Sequence, residues 1–106
     1  MDRAPRAEFL GLPFDRVTMD SAVERCLEWC RGPRVAHTVI TANAAIVCTM
    51  RRDAELMKAC LSGDLIVADG MSVVWASRFA GIPFPERVSG VDLMARLLSE
   101  GNDPRQ

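Results

Sequence analysis

The sequence predicts an α/β fold, a three-layer, Rossmann-like parallel sheet with helices on both faces. Short runs of β-branched and aliphatic residues alternate with segments whose apolar residues recur every three or four positions. Such alternation is typical of βαβ units. The 106 residues make at most one domain. Because three predicted strands form a thin sheet with open edges, we expect a truncated domain. A small complete domain is the alternative.

The N-terminal part predicts one strand and one helix. Residues 1–8 are polar and are expected to be flexible, and residues 9–17 predict a short strand and turn. Thr18 is a suitable N-cap for the helix that follows. That helix should run to about Cys30, because its apolar side chains follow the spacing of one buried face.

The middle of the chain predicts a central strand and two helices. The run VAHTVIT at 35–41 is rich in β-branched residues and largely apolar on both faces, as in a strand covered on both sides. Asn43 then begins a helix that extends to about Met50. After a polar break, a further helix is expected at 54–61.

The last part predicts a strand and two more helices. Residues 65–68 form a short apolar strand, and a helix is expected at 71–80. The proline-containing segment at 82–85 should be an extended loop before a final helix that ends near Ser99. We therefore assign residues 9–100 to the domain and residues 101–106 to a truncated tail.

Composition excludes several classes of protein. The net charge of −1 gives no electrostatic reason to expect binding to nucleic acid. No apolar run resembles a signal peptide or a membrane span, so we expect a cytoplasmic chain, either soluble or peripheral to the membrane. The four cysteines contain no CxxC pair and are expected to be buried thiols rather than metal ligands. They are Cys26, Cys30, Cys48 and Cys60.

Four further residues are expected to be structural. His37, the single histidine, lies in the predicted central strand and should be packed or hydrogen-bonded rather than catalytic. Met71, Trp75 and Met94 occur at helical spacings, which predicts that they belong to the core.

Polar residues follow two predicted strands at the positions where parallel sheets bind ligands. Thr41 and Asn43 follow one strand, and Asp69 and Gly70 follow the next, so they should lie on the same edge of the sheet. The hydroxyl and the amide suit sugar hydroxyls or phosphate oxygens. The alternative for both residues is helix capping, for which Asn43 is well placed as an N-cap.

A carboxylate and an arginine complete the candidate site. Asp69 stands at a strand end before Gly70, which allows close approach of a ligand, and an accessible carboxylate of this kind suits a general base. Capping of the next helix is the alternative for Asp69. Arg87 follows a proline loop and is either a bidentate ligand for a diphosphate or a solvated side chain. Asp92 should complement a helix dipole.

Four segments resemble the N-terminal portion of one family, the WecG/TagA/CpsF glycosyltransferases (glycosyltransferase family 26). The likeness covers nearly all of residues 9–100 in family order. Ala42 stands where a proline is usual between the threonine and the asparagine. The segments are FLGLPFDRVTMDSAVERC, VITANAAIV, DLIVADGMSVVWASRFAG and IPFPERVSGVDLM.

The resemblance implies an inverting transfer that needs neither a metal nor a cofactor. Members move N-acetylmannosamine, its uronic acid or glucose from a UDP-sugar to an acceptor linked to polyprenyl diphosphate, at the inner face of the membrane. By position, Asp69 would be the base, Thr41, Asn43 and Gly70 would contact the sugar, and Arg87 would contact phosphate.

Two other functions stay open. One is an inactive fragment that acts only as a folding or homo-oligomerisation unit. The other is a nucleotide-binding α/β module of another class, such as an oxidoreductase, against which stands the absence of a G-x-G-x-x-G motif after the first strand.

Overall fold

The computed structural model describes residues 6–101, which form a mixed α/β fold with two short sheets and five helices. The bounds in chain order are β1 (Arg6–Phe9), β2 (Leu12–Asp15), α1 (Met19–Arg31), β3 (Val39–Ala42), α2 (Ala44–Met50), α3 (Ala54–Leu61), β4 (Leu65–Ala68), α4 (Met71–Phe79) and α5 (Gly90–Gly101).

Strands β1 and β2 form an antiparallel hairpin at the start of the described chain. Leu10 and Gly11 connect them with φ values of 55° and 85°, and two successive positive φ angles suit the twist of a tight hairpin. Residues 6–8, which the sequence predicted to lie in a flexible N-terminus, belong to β1, while residues 1–5 lie outside the described part. The hairpin was not predicted from the sequence because its strands are only four residues long and the second one contains Pro13, a residue that disfavours strands.

Strands β3 and β4 pair in parallel, with Val39 opposite Leu65 and Ala42 opposite Ala68. The α/β class is thus confirmed, but the parallel sheet of residues 6–101 has two strands, because the first predicted strand folds back into the hairpin. Strand β3 also begins later than the predicted 35–41, and residues 31–38 are exposed. Pairing starts only where the Thr38 carbonyl accepts hydrogen bonds from the start of β4, so the upstream residues have no strand to pair with.

Strand β4 separates two groups of buried side chains. Successive residues of a strand point to opposite faces, so Ile66 contacts one group while Leu65 and Val67 contact the other. Helices contribute to both groups, and β4 is consequently covered on both faces. The first core cluster contains Leu12, Phe14, Ala42, Val47, Met50, Cys60, Ile66, Ala68, Val73, Val74 and Phe84. The second core cluster contains Val17, Ala22, Val23, Cys26, Leu27, Leu65, Val67, Val88 and Leu93.

A buried carboxylate joins the hairpin to β4. Asp15 accepts a hydrogen bond from the Ile66 backbone N–H at 2.8 Å and pairs with Nε of Arg6 at 3.0 Å. The same guanidinium donates to the carbonyl oxygens of Gly63 and Asp64. Since an unpaired amide or charge is costly to bury, this network allows the strand edge to lie against the hairpin.

Three residues expected in the core are instead exposed. Met71 and Trp75 lie on the outer face of α4, and Met94 lies on the outer face of α5. Helical spacing alone predicted their burial, but the inner faces of these helices are already filled by residues such as Val74 and Leu93. Each helix therefore carries a second apolar face.

The cysteine and histidine predictions are confirmed only in part. Cys26 and Cys60 are buried, but Cys30 and Cys48 are exposed. His37 lies before β3 rather than within a strand. It is packed as expected, because its ring stacks on Trp29 with centroids 4.3 Å apart.

No helix among residues 6–101 combines the length and the apolar character needed to cross a lipid bilayer.

Replacement of the buried carboxylate should destabilise the fold. Asp15→Asn places an amide N–H₂ group against the Arg6 guanidinium and leaves that charge without its partner. We expect the free energy of unfolding to fall by about 2–4 kcal/mol, measured by urea denaturation. Asp20→Asn is the matched control, because Asp20 also pairs with an arginine but is exposed. Equal effects of the two substitutions would contradict the structural role of Asp15.

The cysteines should fall into two reactivity classes. Burial raises the pKa of the Cys26 thiol, so less of it is in the reactive thiolate form. Brief alkylation of the native chain at pH 8, followed by peptide mass spectrometry, should label the exposed Cys30 and Cys48 well before the buried Cys26 and Cys60. In denaturant all should react alike, and uniform labelling of the native chain would refute the assignment.

Candidate functional site

The residues after β3 and β4 lie side by side. The parallel register places Ala42 opposite Ala68, and the Asp69 backbone N–H donates to the Ala42 carbonyl oxygen at 2.9 Å. The Val88 N–H donates to the Ala68 carbonyl oxygen at 2.8 Å, which holds the segment before α5 against the same end of β4. Three segments therefore meet at the carboxyl edge of the parallel pair.

A groove of about 460 Å³ opens at this edge. Asp69 and Thr41 supply its polar side chains, and the start and one side of α5 supply much of its apolar wall. The groove is lined by Val39, Thr41, Asp69, Gly90, Val91, Leu93, Met94 and Leu97. An acidic group, a hydroxyl and a largely apolar wall together suit an amphipathic ligand.

Asp69 is half-buried and bonded to α5 rather than to α4. Its Oδ2 atom accepts a hydrogen bond from the Gly90 backbone N–H at 3.2 Å. The N-cap of α4 is Gly70, which has no side chain, so the alternative that Asp69 caps the next helix is wrong. The carboxylate instead faces the groove and fixes the first residue of α5 at its edge.

Thr41 approaches the same residue of α5 from the other side. A Cβ atom built on Gly90 would lie 3.1 Å from Thr41 Oγ1 and 3.2 Å from its Cγ2. A side chain at position 90 would therefore require Thr41 to move by a few tenths of an ångström, which a glycine avoids. The structure thus brings Thr41 and Asp69 together around Gly90, as the strand-end positions predicted.

Asn43 and Gly70 lie at the same edge but do not line the groove. The Asn43 side chain accepts a hydrogen bond from the Ile46 N–H at 2.9 Å, which confirms its capping of α2. Gly70 has φ +134° and ψ 136°, a conformation that residues with a side chain rarely adopt. Gly70 connects Asp69 to α4 in this conformation, which the absence of a side chain allows.

Arg87 is exposed and also lies outside the groove lining. Its Nη2 atom is 3.7 Å from Oδ2 of Asp92, which stands in the first turn of α5 as expected for a residue complementing the helix dipole. This exposed pair is a weak constraint on the arginine. Arg87 precedes Gly90 by three residues, so it belongs to the segment that approaches the groove.

Several residues of the site were missed from the sequence. Gly90, Val91 and Met94 line the groove, and the available signal was the presence of apolar residues on more than one face of α5. Glu86 was also missed. Its carboxylate accepts a hydrogen bond from the Met19 N–H at the start of α1, which anchors the loop before α5. Within the described residues 6–101, no group of three or more His, Cys, Asp or Glu side chains is arranged to hold a metal ion.

The geometry defines an α/β protein with a groove at the carboxyl edge of its parallel strands, the place where parallel sheets generally bind ligands. The sequence profile described as the Glycosyl transferase WecG/TagA/CpsF family matches residues 7–106. The chain belongs to this family, as the sequence motifs predicted.

Curated relatives agree with this membership. Over 94 residues the chain is 30% identical to proteins of Staphylococcus aureus strains NCTC 8325 and COL, each named N-acetylglucosaminyldiphosphoundecaprenol N-acetyl-beta-D-mannosaminyltransferase. The alignment covers 88% of this chain and 37% of each relative. The chain therefore spans little more than a third of the length of these relatives.

The unusual backbone at Gly70 should make it sensitive to any side chain. We expect Gly70→Ala to lower the free energy of unfolding by about 1–3 kcal/mol, because a Cβ atom is strained at φ +134°. Gly32→Ala is the control, since Gly32 has φ −90° and a Cβ there makes only ordinary contacts. Urea denaturation of both variants tests this, and equal effects would count against strain at Gly70.

Proposed function

We propose that this chain forms part of a glycosyltransferase that moves a sugar from a UDP-sugar to an acceptor linked to polyprenyl diphosphate. Family membership and the names of the staphylococcal relatives support this class of reaction. The observation that carries the proposal is that the Asp69 carboxylate and the Thr41 side chain face one groove at the carboxyl edge of β3 and β4.

Asp69 is the general base in this proposal. A sugar hydroxyl is too weak an acid to ionise beforehand, so its proton must leave as the new bond forms. The acceptor oxygen bonds to the anomeric carbon of the donor, the proton passes to the Asp69 carboxylate, and the bond to the departing UDP breaks with its electron pair. A single displacement of this kind inverts the configuration at the anomeric carbon.

The other residues of the edge bind the sugar and the diphosphate. The Thr41 hydroxyl donates to or accepts from a sugar hydroxyl. The Asn43 oxygen caps α2, and its N–H₂ group supplies two donors for the sugar, while Gly70 leaves room for it. Arg87 exchanges its loose contact with Asp92 for a phosphate of the leaving group, whose charge it stabilises.

The rest of the assignment follows the family. The donor sugar is N-acetylmannosamine, its uronic acid or glucose, and the transfer uses neither a metal ion nor a cofactor. In a protein of family length, further parallel strands would extend β3 and β4 into a three-layer, Rossmann-like sheet. The protein acts in the cytoplasm at the inner face of the membrane, as a monomer or homo-oligomer, in cell-surface polysaccharide synthesis.

The alternative proposal is an inactive unit that contributes only to folding or oligomerisation. The two functions are separated by assaying UDP release from UDP-N-acetylmannosamine with a GlcNAc-diphosphoprenyl acceptor. The same assay is run on a chimaera in which this chain replaces the matching 94-residue region of a staphylococcal relative.

Asp69→Asn in an active chimaera should lower kcat by a factor of about 10²–10⁴. The asparagine oxygen still accepts the hydrogen bond from the Gly90 N–H, so the fold should persist. Asp53→Asn is the matched control, because Asp53 caps α3, asparagine caps equally well, and the residue lies outside the groove lining. Full turnover by the folded Asp69→Asn variant would show that Asp69 is not the general base. An inactive chimaera would support the alternative proposal.

A further inference from the structure

Helix α5 carries an exposed apolar stripe in addition to its buried face. Leu93 is buried in the second core cluster, whereas Val91, Met94 and Leu98 are 79%, 60% and 62% exposed. These three residues follow an i, i+3, i+7 spacing and therefore lie along one side of the helix. We call them the α5 stripe. With a rise of about 1.5 Å per residue, it is about 10 Å long.

The α5 stripe continues the groove that contains Asp69. Val91 and Met94 line that groove together with Asp69 and Thr41. Leu98 lies one helical turn after Met94 on the same side of α5 and extends the apolar surface away from the polar residues. The groove is thus polar at the end of the parallel strands, and the apolar side chains of α5 lead away from that end.

We infer that the α5 stripe binds the first isoprene units of the acceptor while its sugar-bearing head lies beside Asp69. This inference rests on the proposed function. A sugar linked to polyprenyl diphosphate is polar at one end and apolar at the other, which matches the order of the surface. Contact with an alkyl chain would remove the exposed apolar area of the three side chains from water.

A second apolar surface provides an internal comparison. Met71, Trp75 and Phe79 form the outer face of α4, and Phe79 is 95% exposed. None of the three lines the groove with Asp69. If apolar tails simply adhered to exposed side chains, the aromatic face of α4 would bind them at least as well as the α5 stripe.

Binding is measured by NMR of the chain labelled with ¹³C in the methionine methyl groups. Met94 reports on the α5 stripe, and Met71 reports on the outer face of α4. Two probes are compared below their micelle concentrations: N-acetylglucosaminyl diphosphate esterified to farnesol and the same head group esterified to ethanol. We expect the farnesyl probe to shift the Met94 methyl signal strongly, the ethyl probe to shift it little, and Met71 to respond to neither.

Leu98→Gln should weaken binding of the farnesyl probe about tenfold and leave the ethyl probe unaffected, because a buried aliphatic contact is lost while the polar head is untouched. Glutamine is a good helix former and Leu98 is exposed, so the variant should fold. Phe79→Gln is the matched control and should bind both probes as the parent chain does. In an active chimaera, Leu98→Gln should raise KM for the farnesyl acceptor and leave kcat unchanged.

Three results would overturn the inference. Equal effects of Leu98→Gln and Phe79→Gln would indicate unspecific adhesion. A Met94 signal that shifts with protein concentration but not with the length of the prenyl chain would assign the stripe to a second copy of the chain. If the Met94 methyl group is shielded from solvent in the chimaera and responds to neither probe, the α5 stripe packs against the rest of the polypeptide instead of the acceptor.

These failures differ from failure of the proposed function. If Asp69→Asn abolishes turnover in the chimaera but the length of the prenyl chain has no effect on binding, only the lipid contact is wrong. If Asp69→Asn retains full turnover, the assignment of the base is wrong, whatever the α5 stripe binds.

Discussion

Burial of β4 on both faces is the constraint on which the rest of the structure depends. Leu65 and Val67 face one core cluster, and Ile66 and Ala68 face the other, so this short strand joins both halves of the core. Its pairing with β3 sets the register of the residues that follow each strand. The same pairing therefore determines both the packing of the helices and the position of Asp69 beside the end of β3.

The hairpin of β1 and β2 covers the edge of β4 that does not pair with β3. A strand paired along one edge leaves backbone groups unpaired along the other, and within residues 6–101 the structure places β2 next to that edge rather than another parallel strand. The Asp15 carboxylate takes the place of a strand carbonyl by accepting from the Ile66 N–H. The buried Asp15 carboxylate thus satisfies a backbone N–H of β4 that a neighbouring strand would otherwise satisfy.

The sequence predicted the features that depend on local patterns. The helices, the caps at Thr18 and Asn43 and the apolar strand β4 all follow from spacing and cap chemistry, and they were found within a few residues of their predicted bounds. The late start of β3 and the hairpin depend on which strands meet, and local patterns do not contain that information. Likewise, the strand-end rule located Asp69 and Thr41, but the contribution of α5 to the groove depends on the path of the loop before it.

The absence of a side chain at Gly90 has a consequence for how the shape of the groove can change within this fold. Because the main chain at Gly90 sits against the side chain of Thr41, the polar end of the groove is closely packed, and a side chain added at position 90 would require Thr41 to move. Val91 and Met94 are free of that restriction, since both point from α5 towards open space. Changes in the shape of the groove, by evolution or by engineering, should therefore concentrate on its helical wall, whereas the contact between Thr41 and Gly90 stays fixed.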